Sequence, residues 1–270
     1  MASDLFSIGL AAAGYQGFGA AFFPRGAAPP IHIVMLLGIA GAVVGSFLGL
    51  VSLRLPKGEP VALGRSHCSG CGRALGPVDL VPLLSFLALR GRCRKCGAAI
   101  ERRYPIIEAA AALVGLVSAL AAPGWEALAA ALLGWWLLLL AVLDVEHYWL
   151  PDQLTWPLVA LGLLATALFA PPLLINHAIG AAVGFVLLWG VAAAYRRLRG
   201  RHGLGGGDAK LFAAAGAWVG WQDLPLVLLG AAVTALVAAL ILHGRDKDFL
   251  TKRLPFGAFL APAIWLVYLF

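Results

Sequence analysis

Two features of this chain could do chemistry: four cysteines and two aspartates. The cysteines form two C-x-x-C pairs, Cys68-Ser-Gly-Cys71 and Cys93-Arg-Lys-Cys96. Four thiolates in two such knuckles are the soft, tetrahedral donor set that zinc prefers. The 21 residues between Cys71 and Cys93 slightly exceed the common zinc-ribbon spacing. So small and polar a loop cannot build a large core, and a metal would supply its folding energy. Disulfides are the competing use of paired cysteines, and they need an oxidising compartment. A thioredoxin-like redox pair needs a βαβ context, which this sequence lacks. A site with four cysteine ligands is closed, which makes the expected zinc structural rather than catalytic.

The aspartates are Asp144, in the run Leu143-Asp144-Val145-Glu146-His147, and Asp208, in Gly205-Gly206-Gly207-Asp208-Ala209-Lys210. Both border strongly apolar segments, where an ionisable group costs about 2.5–3.5 kcal/mol on insertion scales and is functional by default. They lie 64 residues apart. Two neighbouring carboxyl groups support acid–base hydrolysis: one activates water, the other protonates the carbonyl oxygen or the leaving amine. The glycines before Asp208 would admit a close-lying backbone. A lone G-x-G-D is a weak signal. Asp208 also suits an N-cap, Asp144 an ordinary interface residue, and the two together a proton or ion pathway. If Asp208 opens a helix and Asp144 closes one, the helix dipoles make Asp208 the better base and Asp144 the better acid. The pair would titrate as a unit.

The elements that must position these groups follow from composition. Hydrophobic residues make up 61% of the 270 residues and charged residues 12%, about half the ~25% usual in soluble domains. Mean hydropathy is +0.90. A disordered chain and a single soluble globule are both excluded. The pattern predicts an all-α polytopic membrane bundle of about eight transmembrane helices, over residues 31–55, 105–122, 125–143, 154–169, 176–195, 208–221, 224–243 and 254–270. The polar stretch 56–104 holds all four cysteines. Spans four and five form an antiparallel pair, which can return Asp208 to the membrane face of Asp144 without forcing the two to meet.

The formal net charge of +7 is a topology signal before it is anything else. With 56–104 in the cytoplasm, alternation puts nineteen of the twenty Lys and Arg on that side or at its edge, all but Arg25. This places the cysteines in a reducing compartment, against disulfides. No stacking aromatics interleave with a basic stripe, so a nucleic-acid partner is not expected. Residues 1–30 are apolar, Gly- and Ala-rich, and lack the basic n-region of a secretory signal. They could form a further span, an interfacial segment or an extracytoplasmic arm.

Over roughly residues 35–265 the sequence resembles the prepilin peptidases, or type IV leader peptidases, of bacterial inner membranes. Eight motifs carry the likeness in order: Gly45-Ser46-Phe47-Leu48 with Arg54-Leu55-Pro56, Arg65-Ser66-x-Cys68-x-x-Cys71, Pro82-Leu83-Leu84-Ser85, Arg90-Gly91-x-Cys93-x-x-Cys96, Arg103-Tyr104-Pro105-x-x-Glu108, Asp144-x5-Leu150-Pro151-Asp152-x-Leu154-Thr155, Gly205-Gly206-Gly207-Asp208-x-Lys210-Leu211 and Pro255-Phe256-Gly257. The resemblance implies an aspartic endopeptidase at the membrane boundary. Such an enzyme removes the basic leader of type IV prepilins and type II secretion pseudopilins after a glycine. It assigns catalysis to Asp144 and Asp208, with Gly205, Gly207, Lys210, Pro151 and Asp152 as motif support. Members with a tetracysteine domain usually also N-methylate the new amino terminus with S-adenosylmethionine. The implied organisation is an unplaced segment (1–30), a first transmembrane helix (31–55), a cytoplasmic zinc domain with the methyltransferase part (56–104) and a transmembrane protease domain (105–270). No Gly-rich nucleotide loop marks the methyl donor's site. One departure stands out: the family usually has Phe-Gly-Pro where this chain has Phe256-Gly257-Ala258. The rival classes are a zinc-domain scaffold of a secretion machine and an ion or proton carrier.

Other polar residues have plain structural expectations. Lys210 is two residues after Asp208, about 200° round a helix, and is expected to snorkel to the interface. His147 suits a helix end. Glu108 is either part of a functional motif or paired with an Arg such as Arg103. The Trp and Phe residues suit packing or interface belts.

Overall fold

The computed structural model describes residues 29–61, 66–200, 205–243 and 254–270. The apolar segment 1–28, residues 62–65 with the motif residue Arg65, residues 201–204 and the charged segment 244–253 lie outside the described residues. Among the described residues there are nine α-helices and no strands: α1 Ile31–Arg54, α2 Leu84–Ala88, α3 Arg103–Ala121, α4 Gly124–His147, α5 Asp152–Phe169, α6 Leu174–Arg199, α7 Gly206–Val219, α8 Leu224–His243 and α9 Gly257–Leu269.

All eight expected apolar segments are helical. Six are long and apolar enough to cross a membrane: α1, α3, α4, α5, α6 and α8. The other two, α7 and α9, have 14 and 13 residues, or about 20 Å each at ~1.5 Å per residue. That is short of a ~30 Å hydrocarbon core, so length supports six crossing helices rather than eight. α7 is short and buried almost all round, from Asp208 through Val219, with α5, α6 and α9 against it. A helix apolar on every side belongs inside a bundle. The long helices instead expose large apolar side chains, such as Leu36 and Ile39 on α1, Leu132 on α4 and Leu236 on α8, as a lipid-facing surface requires.

Lipid is as apolar as leucine, so burial alone does not join helices in a membrane; close packing and interhelical hydrogen bonds do. Small residues let α1 and α3 touch backbone to backbone. A Cβ on Gly115 would sit 2.1 Å from the carbonyl oxygen of Leu37. Four indole N–H groups then tie neighbouring helices. Trp135 donates to the Ala111 carbonyl at 2.8 Å, Trp136 to Leu154 at 3.1 Å, Trp218 to Leu158 at 2.9 Å and Trp265 to Ala130 at 3.0 Å. The expectation of tryptophans as packing residues holds for these four. α4 takes part in three of these ties and lines both apolar cores, one shared with α1 and α3, the other with α5, α7, α8 and α9.

The polar stretch after α1 forms a lobe on the bundle end where α1 and α4 finish and α3, α5, α7 and α9 begin. It is built from two equivalent knuckles. In one, His67 bridges Ala74 and Gly72 N–H donates to the Cys68 carbonyl; in the other, Arg92 bridges Ala99 and Gly97 N–H donates to the Cys93 carbonyl.

Candidate active site and metal centre

Asp144 is in the last turn of α4, which Tyr148 closes in a left-handed conformation (φ 51) with its N–H on the Asp144 carbonyl. Pro151 then starts α5. Asp208 is at the third position of α7. Its carboxylate reaches back to the Gly205 N–H at 3.1 Å, so Gly205 occupies the N-cap position expected for Asp208. Both carboxylates are buried, each 6% exposed. They stand close enough for the charge of Asp144 to act on Asp208, and the N–H of Gly257 faces both. Ala258 N–H donates to Asp144 Oδ2 at 3.0 Å. The start of α9 therefore closes over the pair.

This arrangement changes two expectations. First, Asp144 ends one helix but also faces the N-terminal N–H groups of another, and Asp208 lies in the first turn of a third. Both carboxylates thus meet a positive helix end, and the dipole argument no longer separates base from acid. Second, the glycines before Asp208 differ in role. A Cβ on Gly207 would lie 2.6 Å from Leu150 Cβ, whereas one on Gly206 would meet nothing within 4 Å. Gly207 admits Leu150, whereas Gly206 is exposed and packs against nothing. Leu150 also presses on Gly257, where a Cβ would lie 2.9 Å from both Leu150 Cδ1 and Asp144 Oδ2.

The remaining motif residues brace the site. Lys210 pairs with Asp152 across α7 and α5 rather than simply reaching for the interface. Pro151 is fully buried. His147 lies 3.9 Å from Glu146 at the helix end. Arg103 does not pair with Glu108. It makes a two-pronged bond to Glu146, Nε to Oε1 at 2.9 Å and Nη2 to Oε2 at 2.7 Å, and donates to the Gly49 carbonyl and Ser52 Oγ. Glu108 accepts the Leu83 N–H at 2.8 Å instead, holding a residue at positive φ (60). Sequence reasoning missed the Arg103–Glu146 bridge and the α9 backbone donors. The first carried the ordinary signal of an Arg and a Glu at membrane edges; a main-chain N–H carries none.

The four cysteines form no disulfide. Their sulfurs lie within 4.8 Å of one another, with Cys68 Sγ and Cys96 Sγ at 3.7 Å. Tetrahedral zinc with bonds of about 2.3 Å needs sulfur–sulfur edges of roughly 3.8 Å, so the cluster could bind a metal such as zinc. Backbone N–H groups of Cys96 and Lys95 point at Cys93 Sγ. Thiolates in a metal site are commonly held by such oriented outer contacts.

Comparison with known proteins reads these features together. Residues 39–122 match the family model described as the bacterial Peptidase A24 N-terminal domain, and residues 131–240 match the type IV leader peptidase family. The chain belongs to the type IV leader peptidase family. A prepilin leader peptidase/N-methyltransferase of Aeromonas salmonicida is 43% identical to this leader peptidase over 206 residues, covering 76% of this chain and 71% of that protein. Its counterpart in Pseudomonas aeruginosa is 39% identical over 270 residues, covering 90% and 92%. That in Aeromonas hydrophila is 39% identical over 259 residues. No solved structure matches. In this leader peptidase the departure at Ala258 has a visible consequence. Proline there would have no N–H, and alanine supplies the donor that Asp144 accepts.

Proposed function

We propose that Asp144 and Asp208 are the catalytic dyad of this leader peptidase, and that it cuts type IV prepilins and pseudopilins after the glycine that ends their basic leader. The observation that carries this is the meeting of two buried carboxylates, from helices distant in sequence, under the N–H of Gly257. One carboxylate takes a proton from water while the other, protonated, donates to the carbonyl oxygen and then to the leaving amine. The N–H groups of Gly257 and Ala258 hold Asp144 in place.

The active end and the tetracysteine lobe face the cytoplasm of a bacterial inner membrane in this reading. The support is the basic-residue distribution: nineteen of twenty Lys and Arg fall on that side or at its edge. Zinc held by Cys68, Cys71, Cys93 and Cys96 supplies folding energy to the lobe and, being closed, no Lewis acid to substrate. The lobe carries the second activity in this reading: the relatives are named N-methyltransferases, and the family resemblance implies the new amino terminus as acceptor and S-adenosylmethionine as donor.

Reconstitution with a matched prepilin tests the reading. Wild type should release the leader, and Asp144→Asn and Asp208→Asn should each lower the rate by about 10²–10⁴-fold. Undiminished cleavage in both variants would overturn the aspartic mechanism.

A further inference from the structure

We propose that the cavity between the tetracysteine lobe and the facing ends of α1 and α3 is the methyl-donor site, with Glu108 as the carboxylate that meets the donor's cationic sulfur. This rests on the methyltransferase reading above and gives it a location. The cavity measures about 290 Å³, at the lower edge of the ~300–1,000 Å³ usual for small-molecule sites. Its walls come from both parts of the chain. Ser46 on α1 and Tyr104 and Glu108 on α3 face Arg73, Phe86 and Glu101 of the lobe side.

The donor makes three demands: a flat apolar slot for its heterocycle, a cation for its carboxylate, and anions for its ammonium and sulfonium groups. Phe86 and Tyr104 line the cavity with aromatic rings, which suit the first. Arg73 meets the second; its Nη2 is held by Asp79, but its Nε is buried without a partner among the described residues. The third narrows the choice of acid. Glu101 lines the cavity but is exposed to solvent, and Asp79 is already taken by Arg73, Arg94 and the Gly76 N–H. Those contacts, the Gly76 N–H first, hold it below the ordinary carboxylate range. Glu108 is different. It is 8% exposed, accepts one main-chain N–H through Oε2, and has no cationic partner among the described residues, since Arg103 has turned to Glu146. A buried carboxylate without a cation is unfavourable, and a bound sulfonium would offset that.

Position favours the same occupant. Tyr104 lines the cavity, and its neighbour Arg103 grips Glu146, two residues beyond Asp144. Arg103 thus ties the α3 wall of the cavity to the end of α4 that carries Asp144. The donor supplies an electrophilic methyl: the amine's lone pair forms the new N–C bond, the C–S pair returns to a now neutral sulfur, and the amine proton leaves to water.

Binding of S-adenosylmethionine and of its neutral thioether product, S-adenosylhomocysteine, is measured by calorimetry on the purified full chain. Zinc content and thermal unfolding are followed in parallel to report folding. Glu108→Gln keeps an acceptor for the Leu83 N–H and removes only the charge. It should weaken the sulfonium by about tenfold or more and the thioether by far less. Ser46→Phe should weaken both by filling the cavity. If wild type binds the donor and neither variant alters binding, the cavity assignment fails while the methyltransferase reading stands. Equal weakening of both ligands in Glu108→Gln would overturn the role of Glu108. Wild type that binds neither ligand and methylates nothing would overturn both readings.

Discussion

Asp144 and Asp208 are buried side chains held by main-chain N–H groups, so the site depends on atoms that any residue type would supply and on side chains small enough to leave them room. Gly257 illustrates this. A methyl group there would stand 2.9 Å from Asp144 Oδ2, and the carboxylate would have to move. Gly257→Ala should lower cleavage by about a hundredfold, the scale expected when a reacting group shifts by ~1 Å, with unchanged membrane insertion. Kinetics on the reconstituted variant decide it; a wild-type rate would mean that the carboxylate has slack. Ala258→Pro is the milder change. It deletes the donor to Asp144 but suits the first turn of α9, so cleavage should fall by less than in Gly257→Ala. Lys210 and Asp152 were legible as motif residues, but their pairing was not. The two lie 58 positions apart, and only the α5–α7 contact makes them neighbours.

At the scale of elements, the helices are joined by specific contacts because lipid removes the hydrophobic drive for association. Trp135 shows the size of one tie. Its indole N–H binds the Ala111 carbonyl at 2.8 Å between α4 and α3. Trp135→Phe should lower stability by about 1 kcal/mol, read by unfolding in mixed detergent micelles; no change would show that lipid or water replaces the bond. The lobe answers to a different force. Its two knuckles share one geometry but little core, with only Cys93 buried among the four cysteines. Cys71→Ser should bring bound zinc close to zero by mass spectrometry of the native protein, and make the lobe sensitive to protease while the bundle keeps its helix signal. Retained zinc would place the metal elsewhere. Apolar runs revealed where all eight segments lie and that 208–221 is short, but not that α7 is buried almost all round. A linear pattern of apolar residues does not distinguish burial against other helices from exposure to lipid.

For the whole molecule, Arg103 links the two halves. It reaches from the start of α3 to Glu146 at the end of α4 and to Gly49 and Ser52 on α1. It thereby joins the lobe-bearing part of the chain to the dyad-bearing part. Its side chain is 16% exposed and that of Glu146 26%, so solvent screens the pair only in part. A double-mutant cycle on Arg103 and Glu146 should give a coupling of about 1 kcal/mol in stability. Arg103→Lys should recover little of it, because an ammonium cannot make the two-pronged bond. Zero coupling would leave the halves joined by helix packing and by ties such as the Trp135 bond to the Ala111 carbonyl.

The sequence by itself determined the all-helical membrane class, the paired cysteines that could bind a metal, the two acids at membrane edges and the family. Each of these is a matter of residue type at short spacing, which local chemistry reads without a fold. The tertiary structure decided what depends on distant segments meeting. It brought α9 over both aspartates, gave Leu150 the space left by Gly207 and Gly257, and turned Arg103 to Glu146. By doing so it left Glu108 as a buried acid without a cation among the described residues. None of these contacts has a local signature, because each is fixed by how helices separated in sequence pack.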